Sequence, residues 1–405
     1  MNGGSQFNKD TFCVLPFLHL ATHPIGTVTP CCVTDMTNDM STAKKDGFNM
    51  FLGKDKIEDI ANSESFNLLR KKMISGEIPL ECKNCFLHEQ NNIRSKRNDS
   101  NEKFQNFIDE CFRNTNEDGS LKNVDYRYLE LRLGAVCNLK CSTCNSFSSN
   151  RWNEDVTIFK GTKFEKFYFK NEIKTEWYRD PLFYDELFSR CSKLEEIWIN
   201  GGEPTLIREH EYFLTKLIDS GLSTTISLNY SINLTSLPEH LIEKWKSFKK
   251  VTLQLSIDDL NERNEYIRYP SKWDNIIKNL NRIHKEKNTF HLELMQTVSL
   301  YNVCNINNFK KFSIDNGIYV AHNYVNYPEF LHVSLLPNDM KLELLNNISN
   351  LTKFESDKLK FELDRVNNKH TIDDFIEYVN LLDLKRGTKI NNTLHEWDAH
   401  WSKIK

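Results

Sequence analysis

The sequence contains no apolar run approaching the ~20 residues that a membrane-spanning helix needs. It also lacks an excess of basic charge. Its 53 Lys and Arg face 56 Asp and Glu for a formal net charge of −3, so no broad positive field is available to hold nucleic acid. The opening residues, MNGGSQFNKDTF, do not show the charged-then-apolar order of a secretory signal, and the expected compartment is the cytoplasm. No internal repeat and no low-complexity tract is present. With 39% apolar and 27% charged residues the chain is ordinary globular protein, and its 405 residues suffice for two or three domains.

The most informative lack is a missing ligand. The chain has 11 cysteines, an odd number that suits disulfide pairing poorly and a reducing compartment well. Cys111, Cys191 and Cys304 stand alone and read as small buried hydrophobes. The stretch LRLGAVCNLKCSTCNSFSS, by contrast, crowds Cys137, Cys141 and Cys144 together, and no fourth Cys or His lies close by; the next histidine downstream is His210. Structural zinc closes its tetrahedron with a fourth ligand. Three ligands leave a metal centre with an unfilled position, and open positions are where chemistry happens.

From about residue 125 onward, strand and helix patterns alternate. YRYLELRL, LEEIWIN, TTISLNYS, VTLQLSI, FHLELMQTVSL and IYVAHNYVN read as six strands, with amphipathic helical stretches between them, among them HEYFLTKLIDSGL and SKWDNIIKNLNRIHKEK. Six successive βα units predict parallel strands joined by right-handed crossovers, an α/β partial (β/α)6 barrel whose active site lies at the C-terminal strand ends. The expected organisation is a cysteine-rich segment over residues 1–98, a polar join over 99–124, the barrel over 125–336 and a helical, charged C-terminal extension over 337–405.

The C-x3-C-x2-C triplet at the end of the first barrel strand resembles the signature of the radical S-adenosylmethionine (SAM) superfamily, with Thr143 where many members carry an aromatic. The resemblance implies that Cys137, Cys141 and Cys144 hold a [4Fe–4S] cluster and that SAM fills the open iron. It extends to NGGEPTL, where Gly201, Gly202, Glu203 and Pro204 match the loop that receives the amino group of SAM. Glycines let the backbone approach closely, and carbonyls beside a carboxylate suit an ammonium. In LSIDD, Ser256 and Asp258 stand where the family contacts ribose, or act as an ordinary helix cap. Arg268 in EYIRYP is either a clamp for SAM's carboxylate or an acidic substrate, or a surface arginine. Thr297 to Leu300 fall at the family's adenine contact.

A second cysteine group precedes the barrel. Cys13, Cys31, Cys82 and Cys85, with the phrase LRKKMISGEIPLECKNCFLHEQ, resemble the twitch domain, a half-size relative of the SPASM domain that holds an auxiliary [4Fe–4S] cluster, here placed N-terminal to the barrel. Four thiolates also suit structural zinc. Cys32 competes with Cys31 for the ligand role, while His19 and His23 read as strand residues rather than ligands.

These resemblances imply a radical SAM enzyme that cleaves SAM reductively and takes a hydrogen from substrate, with the second cluster pointing to an oxidative modification. The implied partners are a peptide or small-molecule substrate and an electron donor such as flavodoxin or ferredoxin. The aromatic stretch His322 to Val333 is either part of the substrate pocket or core, and Cys304, Tyr324 and Tyr327 are the only weak X–H donors singled out; no catalytic acid or base stands out. The rival readings are a non-catalytic iron–sulfur or zinc-binding scaffold and a degenerate SAM binder. The complete triplet and intact Gly201–Pro204 loop argue against both.

Overall fold

The structure, a computed structural model, describes residues 10–36, 38–168 and 176–398. In chain order its strands are β1 (His19–Thr22), β2 (Val28–Thr29), β3 (Lys44–Lys45), β4 (Phe48–Asn49), β5 (Tyr128–Leu133), β6 (Glu196–Gly201), β7 (Ser227–Ile232), β8 (Lys250–Ser256), β9 (Phe290–Val298) and β10 (Tyr319–Tyr324). Strands β5 to β10 lie side by side in sequence order, each parallel to its neighbour. Parallel neighbours need crossovers, and the helices Pro181–Ser189, His210–Asp219, Glu239–Trp245, Trp273–His284 and Ile306–Asp315 lie along them. Strands β5 and β10 are not paired, so the barrel is open, as expected of an α/β partial barrel.

The two faces of this sheet differ in chemistry. Leu129, Leu131, Ile197, Ile199, Leu228, Leu253 and Leu294 turn to the outer face and pack with Phe213, Leu217, Trp245, Ile276 and Phe309 of the crossover helices in one core. The alternate residues are polar. Glu130, Trp198, Asn229 and Thr252 stand in register across β5 to β8, and Ser231, Gln254 and Glu293 across β7 to β9. They are joined laterally: Trp198 Nε1 donates to Ser231 Oγ (3.1 Å), Ser231 Oγ to Gln254 Oε1 (3.2 Å) and Gln254 Nε2 to Glu293 Oε2 (3.0 Å). An all-parallel sheet covered on both sides reads as continuous apolar runs. The alternation here marks an inner face left polar.

The N-terminal segment joins the same sheet. β1 lies parallel on the free edge of β5, pairing Leu20 with Leu129, and β2 lies antiparallel on β1, so the sheet has 8 strands in the order β10-β9-β8-β7-β6-β5-β1-β2. His19 opens β1 and His23 lies just past its end. The C-terminal extension folds into the helices Asn338–Asn347, Lys353–Asp364 and Ile372–Arg386. With Trp152, Phe159, Tyr168 and Tyr301 it forms a second aromatic core at the C-terminal ends of the strands. Among the described residues, no helix is long and apolar enough to cross a membrane.

Candidate functional site

The last residue of β5, Leu133, leads into the loop that carries Cys137, Cys141 and Cys144, and other parts of the chain grip that loop from several sides. After β6, Gly202 N donates to Gly134 O (3.2 Å) and Glu203 N to Val136 O (2.7 Å). A Cβ added to Gly202 would stand 2.2 Å from Val136 O, and one on Gly201, at φ +133°, would stand 2.8 Å from Leu133 N. This close approach is what the two glycines permit. After β7, Asn233 Nδ2 donates to Asn138 Oδ1 (2.9 Å). After β8, the carbonyls of Ile267 and Tyr269 accept from Ser142 N and Lys140 N, both at 2.7 Å. From the C-terminal helix, Tyr378 OH donates to Ser142 O (2.8 Å) and Arg386 Nη2 to Lys140 O (2.7 Å).

The expected site residues fall around this loop. Glu203 is buried: Oε1 accepts from Thr205 Oγ1 (2.7 Å) and Oε2 from Asn233 N (2.6 Å), and burial raises its carboxyl above the usual range. Pro204 opens the short turn Pro204–Leu206. Ser256 ends β8. Asp258 is fully buried and does not reach outward. One oxygen takes the Arg268 guanidinium (2.9 Å) and the other Thr297 N (2.9 Å). Arg268 therefore meets Asp258 first, but its Nε is buried with no hydrogen-bond partner. Leu139 N donates to Cys137 Sγ (3.4 Å), the kind of contact that tunes a bound cluster. Burial raises all three thiols, Cys141 to about 11, and the neighbouring Cys137 adds to the rise at Cys141 and Cys144. A bound iron would reverse that tendency, since a coordinating thiol is deprotonated by the metal's charge.

Cys13, Cys31, Cys82 and Cys85 come together from widely separated positions. All four line one small, mainly apolar cavity, with Leu15, Val33 and Met73 on its walls and Lys96 and Arg97 beside it. Arg97 holds the carbonyls of Asp10 and Phe12 (2.8 and 3.0 Å) and stacks on Phe86. Burial raises Cys13, Cys31 and Cys82, and neighbouring thiols add to it. Cys32 does not line the cavity; burial and the carboxylate of Glu130 push it up to about 12. Of the two adjacent thiols, Cys31 is the one placed with the other three. Soft thiolates in such sets suit iron–sulfur clusters or zinc. Among the described residues, no group of three His, Cys, Asp or Glu side chains converges to hold a single metal ion.

The stretch His322 to Val333 divides. His322 is buried and bonded to Gln296 (2.7 Å), Phe330, Leu331 and Val333 belong to the second core, and Tyr327 is exposed. Cys304 packs against that core and Cys111 and Cys191 are buried. The sequence patterns missed Arg386 and Tyr378, which lie more than 230 residues from the loop they touch.

Residues 131–295 match the radical SAM superfamily, and residues 13–86 match SPASM, an iron–sulfur cluster-binding domain. The two domains imply [4Fe–4S] clusters and SAM. No curated protein gives a significant match. Solved structures that align with part of this chain include anSMEcpe with bound AdoMet and Cp18Cys peptide, 14% identical over 55% of this chain and 58% of that one, TM-score 0.36. Streptococcus suis SuiB is 16% identical over 70% and 62%, TM-score 0.37. TYW1 with a lysine–pyruvate adduct is 16% identical over 55% and 72%, TM-score 0.32. The chain thus spans about three fifths of anSMEcpe and SuiB, and likeness of this degree leaves reaction and substrate open.

Proposed function

We propose that this chain, a radical SAM domain behind an SPASM iron–sulfur domain, is a radical SAM enzyme that oxidises a hydrophilic substrate, a peptide or a small polar metabolite. Cys137, Cys141 and Cys144 would hold the cluster with the open iron, and Cys13, Cys31, Cys82 and Cys85 the auxiliary one. When bound, the first cluster and SAM supply reductive SAM cleavage and a carbon radical strong enough to take a hydrogen from an unactivated position.

The residues of this chain have the positioning roles. The Gly201–Pro204 backbone, docked on residues 134–136 through the N–H groups of Gly202 and Glu203, would receive an ammonium with the carbonyls of Gly201 and Gly202, since those of Glu203 and Pro204 close the turn that follows. Arg268, anchored through Asp258, keeps an unpartnered Nε for a carboxylate. Asp258 would orient Arg268 and the end of β9 rather than touch a ribose itself. The inner face carries both charge signs, Glu130, Arg132 and Glu293, which suits a polar substrate better than an apolar one. The observation that carries the reading is the docking of the glycine loop onto the cysteine loop, which would set an ammonium beside three thiols with an open fourth position.

The test uses protein purified without oxygen and reconstituted with iron and sulfide, then given dithionite and SAM. About eight irons per chain, two clusters of four, together with 5′-deoxyadenosine are the expected result. About four irons with 5′-deoxyadenosine would keep the radical enzyme and leave the N-terminal thiols to zinc. A well-loaded protein that forms no 5′-deoxyadenosine with several reductants, flavodoxin and ferredoxin included, would sink the catalytic reading in favour of a scaffold.

A further inference from the structure

We infer that Arg386, at the end of the C-terminal helix Ile372–Arg386, is a positioning residue for the cysteine loop, and that its buried charge makes the cluster held there easier to reduce. The inference rests on the reading that Cys137, Cys141 and Cys144 hold a [4Fe–4S] cluster.

A helix-ending arginine ordinarily lies in solvent, where it meets the helix's own C-terminal carbonyls. This one does not. Its side chain is 3% exposed and is directed into the loop. The guanidinium uses its fork on three residues at once: Nε meets Asp155 Oδ2 (3.1 Å), Nη1 donates to Ser142 Oγ (3.1 Å) and Nη2 to Lys140 O (2.7 Å). Trp152 and Tyr269 flank it at 5.0 and 5.1 Å from their ring centres. Lys140 and Ser142 are the residues on either side of Cys141, so the contacts hold the backbone before that thiol and the side chain after it. A lysine has no planar fork with which to make this set.

The charge count around the contact is uneven. Asp155 is fully buried and is shared by two cations, Arg386 and Lys140, the latter at 2.6 Å. Glu154 also reaches Lys140 (3.2 Å), but it is 49% exposed and water screens it. The buried group therefore carries one positive charge beyond what Asp155 balances, next to Cys141. Adding an electron to a cluster adds negative charge, and an uncompensated cation in a low-dielectric surrounding stabilises the reduced state more than the oxidised one. The C-terminal extension would thus set both the shape and the potential of a site more than 230 residues upstream.

The experiment is anaerobic potentiometry followed by EPR on the reconstituted full chain, with Arg386→Met and Arg386→Lys beside the wild type. The auxiliary cluster serves as internal reference. Arg386→Met is expected to lower the reduced-to-oxidised ratio of the SAM-perturbed signal about tenfold at a fixed poise, ~59 mV for a one-electron couple. Arg386→Lys should recover most of that shift and leave the auxiliary signal unmoved. An Arg386→Met protein with full iron and a wild-type potential would overturn the inference, as would an Arg386→Lys protein no closer to wild type than Arg386→Met. If Arg386→Met does not fold, Ser142→Ala decides, since it removes one contact and keeps the charge. Severalfold faster removal of triplet iron by a chelator, with auxiliary iron unaffected, supports the clasp, and equal rates overturn it. A wild-type protein whose EPR signal does not respond to SAM would instead refute the cluster reading itself.

Discussion

The two cysteine groups are built on opposite principles. The N-terminal four stand in a small cavity walled by Leu15, Val33 and Met73, assembled from chain segments that span residues 13 to 85. The triplet stands within eight residues of sequence, on a loop that is bonded to the backbone after β6 and β8, to side chains after β7 and to the last helix. The contrast follows from coordination. Four thiolates complete a cluster's ligand set, so the metal itself can organise the site. Three would leave one iron to an exchangeable ligand, and the protein must then hold both the cysteine loop and the glycine loop docked on it in place without help from a fourth ligand.

The largest expected effect separates the two groups outright. Replacing Cys137, Cys141 and Cys144 together by alanine should leave about half the iron, roughly four per chain, and abolish 5′-deoxyadenosine formation. Replacing Cys13, Cys31, Cys82 and Cys85 should leave a similar amount of iron but preserve SAM cleavage. Iron analysis and chromatographic detection of 5′-deoxyadenosine read both, and identical behaviour of the two proteins would break the comparison.

A single methyl group should come next. In Gly202→Ala the new Cβ would stand 2.2 Å from Val136 O, a backbone atom that cannot swing aside. The glycine loop must then lift from the cysteine loop, and SAM affinity, read by the EPR change on SAM addition, should fall at least tenfold, about 1.4 kcal/mol or more. Auxiliary iron should be unaffected. The N-terminal group allows a finer comparison between adjacent thiols. Cys31→Ser should lose auxiliary iron and Cys32→Ser should keep it, because only Cys31 lines the cavity. Loss in both would return the two thiols to equal standing.

The sequence made the barrel legible because its strands and crossover helices differ in period, and each of the six expected strands appears within a few residues of its pattern. The glycine loop and the triplet were legible as spacing. What spacing could not show is which contacts cross long intervals. Asp258 reads equally as a ribose contact or a helix cap, and the structure places Arg268 and Thr297 N on its two oxygens. The N-terminal segment reads as separate until β1 pairs with β5, because edge pairing depends on backbone groups and leaves little trace in side-chain pattern. Arg386 lies in TIDDFIEYVNLLDLKR, where a terminal basic pair is the ordinary end of a helix, so nothing local marks it as the residue that reaches Cys141's neighbours.

The smallest effect concerns acid. His19 and His23 stand on the N-terminal side of the sheet, and no histidine is among the described hydrogen-bond partners of the cysteine loop. Burial holds His19 down at about 3, with Lys96 adding to it, and holds His23 at about 4, with Arg132 adding to it. A histidine depressed in the folded state favours folding fully above the unfolded value near 6.5. That contribution is lost as pH falls, because the unfolded chain takes up the proton first. Between pH 7.5 and 5.5 His19 alone should cost the folded state about 1.4 kcal/mol, one unit below its unfolded value. His19→Phe keeps a ring against Tyr128, where the imidazole now stacks at 4.2 Å, and removes the titration. Thermal midpoints of the reconstituted protein at the two pH values should therefore move closer together in His19→Phe than in the wild type. Mild acid should also release auxiliary iron before triplet iron. Equal pH sensitivity in the two proteins, or triplet iron leaving first, would show that the acid-labile part of the molecule is not the N-terminal half.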